Sequence, residues 1–172
     1  AIWIECAELM DHYGYKWWKH QEPDEAQVQL EIVDIWHFGM SCLLQGERDQ
    51  ENLASKIASS WKEQRSESNF RDIVEALAAE TLNNHTFSIS IFSELCNSSE
   101  LSFPKLYSFY IGKNVLNFFR QDNGYKEGSY KKIWGGREDN DHLNDLLNTI
   151  DNTAANFSEL LYKALEDRYS QV

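Results

Sequence analysis

The chain has 172 residues, the size of one domain at roughly 100–200 residues each. Its 28 Asp and Glu against 16 Lys and Arg give a formal charge of −12, which excludes binding to nucleic acid polymers or anionic membranes by bulk charge. With 42% apolar residues, six Trp among them, disorder is excluded as well, and no apolar run approaches the roughly 20 residues of a membrane span.

Cys6, Cys42 and Cys96 are odd in number and widely spaced, a usage that fits reduced thiols and predicts a cytoplasmic, reducing location. Two Pro and eight Gly leave room for long uninterrupted helices, so the expected fold class is all-α. Charge is uneven along the chain. Between Lys105 and Arg137 basic residues outnumber acidic ones seven to two, a local reversal of sign that suits recognition of an anion, or simply a solvated face.

The chain opens inside a helical pattern, Ile2 to Met10, with no initiator Met and no capping residue before it, which predicts a further N-terminal segment. A turn near Gly14 and an aromatic cluster, Tyr15-Lys16-Trp17-Trp18-Lys19, lead to Pro23-Asp24, where a second helix should start and run to Gln45. On that helix Val28, Ile32, Ile35, Gly39 and Cys42 recur at helical spacing, and Glu31 and Asp34 lie on the flank of the apolar face. Glu5 and Glu8 repeat the same i, i+3 spacing on the first helix. If the two helices form an antiparallel hairpin, four carboxylates share one cleft and repel strongly unless cations sit between them. Oxygen ligands in that number suit Mg²⁺ or Mn²⁺.

Residues 49–102 read as a helical middle section, with helices expected over Asn52–Arg65 and Phe70–Asn83 and a helix rather than a strand beginning at Phe87. Over Tyr107–Gln121, Lys113, Asn117 and Arg120 fall within about 60° on a helical wheel, opposite Val115, Phe118 and Phe119. A long loop to Asn140 follows, with Gly124, Gly128, Gly135 and Gly136 in its backbone. One helix, about Asp139–Tyr169, should close the chain, with Leu143, Leu147, Ile150, Ala154, Phe157 and Leu161 along a core or dimer face.

ExxE at Glu5 and Glu8, the KWWK cluster, ExxD at Glu31 and Asp34, and the strings GKNVLNFFRQDNGYK and WGGREDN together resemble the dimeric all-α dUTPases, relatives of the MazG-like nucleotide pyrophosphatases. The resemblance follows motif order over most of the chain and leaves 49–102 as a variable middle. It implies a single domain over 1–172, a helical bundle around a four-helix metal-binding core. The implied activity is Mg²⁺-dependent hydrolysis of dUTP and dUDP to dUMP by a homodimer. Glu5, Glu8, Glu31 and Asp34 would be metal ligands, with Glu8 or Glu5 as general base. Lys113, Asn117, Arg120, Lys126 and Asn140 would grip the phosphates and sugar of a deoxyuridine nucleotide, and Trp18 would wall the base. The family's first helix, which supplies amide contacts to uracil, has no counterpart here. Two alternatives remain: a MazG-like enzyme for another nucleotide, and a helical dimerisation module without chemistry.

Overall fold

The computed structural model describes residues 1–47, 49–61 and 67–170. It is all-α apart from one two-residue hairpin, and among the described residues no helix is long and apolar enough to cross a membrane. The chain divides into two compact units, Ala1–Leu106 and Tyr107–Val172.

In the first unit α1 (Ile2–Tyr13), α2 (Glu25–Gly46), α3 (Gln50–Ser60), α4 (Phe70–Asn84) and α5 (Ile89–Ser98) precede the start of α6 (Phe103–Asp122). Short polar residues mark where helices begin. The side chains of Asp24, Asp49, Asn69 and Ser88 each accept a hydrogen bond from a backbone N–H of the first turn, satisfying donors that have no partner within the helix. α1 buries Ile2, Cys6 and Leu9, one face at helical spacing. α2 is buried on several sides, from Val28 through Trp36, as befits the central helix of the unit. The Asp24 N–H donates to His12 O at 3.0 Å, tying the end of α1 to the start of α2, so the two helices run antiparallel as the acidic pairs require. Farther along α2, Trp36 stacks on Phe92 with centroids 5.1 Å apart and meets Phe87 edge-on at 6.1 Å. Gly39 makes this approach possible: a Cβ there would lie 2.6 Å from the Phe87 ring.

The expected helix Asn52–Arg65 is seen as α3, ending at Ser60; residues 62–65 of that expectation lie outside the described ones. The helix expected after Phe87 is α5.

The second unit holds α6 from Tyr107 onward, β1 (Ile133–Trp134), β2 (Arg137–Glu138), α7 (Asp139–Leu147) and α8 (Phe157–Tyr169). Ile133 pairs with Glu138 and Trp134 with Arg137 across Gly135-Gly136, both at positive φ (56° and 85°), the backbone a tight two-residue hairpin demands. Trp134 is 1% exposed; its indole N–H donates to Lys131 O at 2.6 Å and its ring stacks on His142.

Two expectations are corrected here. The closing helix is not continuous: α7 and α8 are separated by residues 148–156, where Asp151 Oδ1 accepts from both the N–H and the hydroxyl of Thr153, a local bond that competes with helix. The polar face of α6 is also not simply outward. Lys113 is buried while Phe118, assigned to the core face, is 63% exposed, because α6 packs through Val115, Leu116 and Phe119.

Candidate functional site

In the first unit, α1 presents Glu5 and Glu8 one turn apart, and α2 returns Glu31 to them. One carboxylate oxygen from each lies within 4.8 Å of the others. Glu31 is almost fully buried and Glu8 is exposed, so the cluster opens to solvent on one side. Three anionic oxygens this close are costly without a counter-charge. His12 stands beside the group, with its Nε2 3.8 Å from Glu31 Oε1. Cys6, adjacent in sequence and buried, feels both effects: burial and then the Glu5 charge push its thiol up to about 12. Asp34, the fourth expected ligand, sits one turn beyond Glu31 and is not in the three-carboxylate group; its Oδ1 lies 3.9 Å from His37 Nδ1. The clustered ligands therefore come from two helices, and a four-helix metal core goes beyond what these residues form.

Trp18 lies in the segment between α1 and α2. It is 61% exposed and makes edge contacts with Trp17 and Tyr15.

In the second unit the residues expected to grip phosphate do gather, around a carboxylate that the sequence reading did not single out. Arg120, in the last turn of α6, donates from Nε to Asp139 Oδ2 at 2.8 Å and from Nη2 to Oδ1 at 2.9 Å. The Tyr130 hydroxyl also donates to Asp139 Oδ2, at 2.8 Å. Lys113 Nζ lies 3.4 Å from Asn140 Oδ1, and Arg120 Nη1 lies 3.3 Å from Asn117 Oδ1. Four of the five expected phosphate-grip residues, Lys113, Asn117, Arg120 and Asn140, thus share one network. Lys126 does not join it; it stands exposed in the turn after α6.

Burial by itself would lower the Arg120 pKa, but the hydrogen bonds and charge of Asp139 outweigh it and hold the guanidinium above its ordinary value. Burial and the same carboxylate push the Tyr130 phenol well above the usual range, so it stays a proton donor at neutral pH. Asp139 had a faint signal in sequence, the acid-rich run Glu138-Asp139-Asn140-Asp141 opening a helix, but nothing local paired it with an arginine 19 residues upstream, and Tyr130 had none.

A family model described as dUTPase matches residues 1–125. The chain belongs to the all-α dUTPase family. None of the curated proteins compared with it is a match. The family match takes in Glu5, Glu8, Trp18, Glu31, Asp34, Lys113, Asn117 and Arg120, while Lys126, Tyr130, Asp139 and Asn140 lie beyond it. All-α dUTPases generally depend on a divalent metal. The Glu5–Glu8–Glu31 group fits one: its donors are all oxygens, the hard ligands that Mg²⁺ prefers, and its open side leaves room for water or phosphate oxygens.

Proposed function

We propose that this all-α dUTPase family member hydrolyses dUTP to dUMP and pyrophosphate, and dUDP to dUMP and phosphate, with Mg²⁺ as cofactor and Mn²⁺ as a substitute. The observation that carries the reading is the convergence of Glu5, Glu8 and Glu31 on one point, on the helix pair that holds the ExxE and ExxD motifs. With Asp34, one turn further along α2, these residues hold the metal.

Bound there, Mg²⁺ supplies polarisation of the phosphoryl oxygens and a lowered pKa for water. Glu8, solvent-facing, or Glu5 accepts the proton of the attacking water. Lys113, Asn117, Arg120, Lys126 and Asn140 bind the phosphates and sugar, and the cations among them stabilise charge that grows on phosphate oxygens in the transition state. Trp18 walls the base. The active species is a homodimer, whose interface would cover exposed apolar side chains of the kind seen at Trp3.

The test is turnover of a panel of nucleoside di- and triphosphates with Mg²⁺ and then with excess chelator. Hydrolysis of dUTP and dUDP that stops in chelator is the expected result. Undiminished activity in chelator would overturn the metal assignment, and a preference for another base, or failure with every diphosphate, would overturn the substrate.

A further inference from the structure

Arginine has five N–H donors in a rigid plane, so the partners of a few of them fix the direction of the rest. In Arg120, Nε and Nη2 are committed to the two oxygens of Asp139, the bidentate fork-to-fork arrangement, and Nη2 also lies 3.5 Å from Asn140 Oδ1. The opposite edge carries Nη1, whose partner is the surface residue Asn117. One edge of the guanidinium is therefore turned inward and the other outward.

Asp139 is itself held firmly. It is fully buried, takes a third hydrogen bond from Tyr130, and its own N–H donates to Lys132 O at 2.9 Å across the base of the hairpin. It is also the first residue of α7, where the helix dipole favours a carboxylate. A buried ion pair is an expensive way to fill space, since apolar residues of similar volume often stabilise a fold as well or better.

We infer that Asp139 is a positioning residue: it locks Arg120 so that the Nη1 edge, beside Asn117, is presented to a phosphate oxygen with the arginine rotamer already ordered. This rests on the reading of the Lys113–Asn117–Arg120 group as a phosphate grip. Preorganisation of this kind acts on binding, because the ordering of a long side chain is complete before the anion arrives. It also gives a reason for Tyr130 to remain protonated: an ionised phenolate at this point would compete with Asp139 for the guanidinium.

The test is a mutant cycle read by calorimetric titration of inorganic pyrophosphate in the presence of Mg²⁺, with dUTP kinetics alongside. Asp139→Asn should weaken pyrophosphate binding on the order of 10²-fold in the wild-type background. In the Arg120→Met background the same change should cost less than about threefold, because there is no guanidinium left to aim. Tyr130→Phe, which deletes one hydrogen bond and keeps the charge pair, should raise KM for dUTP severalfold with kcat little changed, and it carries the test if Asp139→Asn fails to fold. Equal losses from Asp139→Asn in both backgrounds, or an unchanged KM in Tyr130→Phe, would make the carboxylate a structural strut and overturn the inference. A wild-type affinity for pyrophosphate that survives Arg120→Met intact would instead overturn the phosphate-grip reading beneath it.

Discussion

Replacing Glu31 with Gln removes one negative charge from the carboxylate cluster while keeping the side chain's shape. At 4.8 Å two unit charges repel by about 3.5 kcal/mol at an effective dielectric of 20 and by about 0.9 kcal/mol in bulk water. Glu31 is nearly buried, so its pair with half-buried Glu5 leans toward the first figure; exposed Glu8 places its pair near the second. Loss of the His12 contact at 3.8 Å offsets part of the gain. The metal-free variant should therefore be about 1–3 kcal/mol more stable than wild type, a rise in Tm of roughly 3–10 °C for a chain of this size. Mg²⁺ reverses the order. A ligand at a hundred times its Kd stabilises the folded state by about 2.7 kcal/mol, and a site short of one carboxylate gains much less. The assay is thermal unfolding of both proteins in chelator and across a Mg²⁺ titration, with dUTP turnover measured in parallel and expected to fall at least about 10²-fold in the variant. A variant that melts below wild type in chelator, or that gains as much from Mg²⁺, would refute the argument that repulsion among these carboxylates is relieved by a cation.

Gly39→Ala should lower stability by about 1–2 kcal/mol, since overpacking against Phe87 outweighs the roughly 1 kcal/mol that alanine gains in a helix; an unchanged Tm would mean that the Phe87 ring yields freely. Asp145 is held below the ordinary aspartate pKa by hydrogen bonds from Arg137 and then by Arg168, so its contribution to stability is present above the unfolded value and is lost as pH falls through the lower folded value. The stability difference between wild type and Asp145→Asn, followed by urea unfolding from pH 6 downward, should accordingly shrink toward zero below about pH 4, and a difference that does not change with pH would contradict this account.

Much of the molecule is written in short-range pattern. The spacing of Ile2, Cys6 and Leu9, and of Val28, Ile32, Ile35 and Gly39, marks the buried faces of α1 and α2, and a period of 3.6 residues is enough to set Glu5, Glu8 and Glu31 on the edges of those faces. Pro23-Asp24 places the start of α2 within a residue of that observed, because the Asp24 cap is satisfied by its own first turn. The dUTPase motifs are legible for the same reason: each lies within one helix or one turn.

Tertiary structure decided which of these local pieces meet. The stretch after Leu147 keeps enough helical periodicity to read as one long element, and only the competing Asp151–Thr153 turn and the separate burial of Leu147 and Phe157 show two. Phe118 looks apolar and inward on a wheel, yet the face of α6 that finds partners is the one carrying Val115, Leu116 and Phe119. The pairing of Arg120 with Asp139 crosses 19 residues and a hairpin, and the return of Glu31 to Glu5 and Glu8 depends on α2 folding back along α1. Periodicity reports the direction of a side chain about its own helix axis. What stands opposite is settled by packing, where the cost of leaving a charge such as Asp139 buried and unmatched selects its partner.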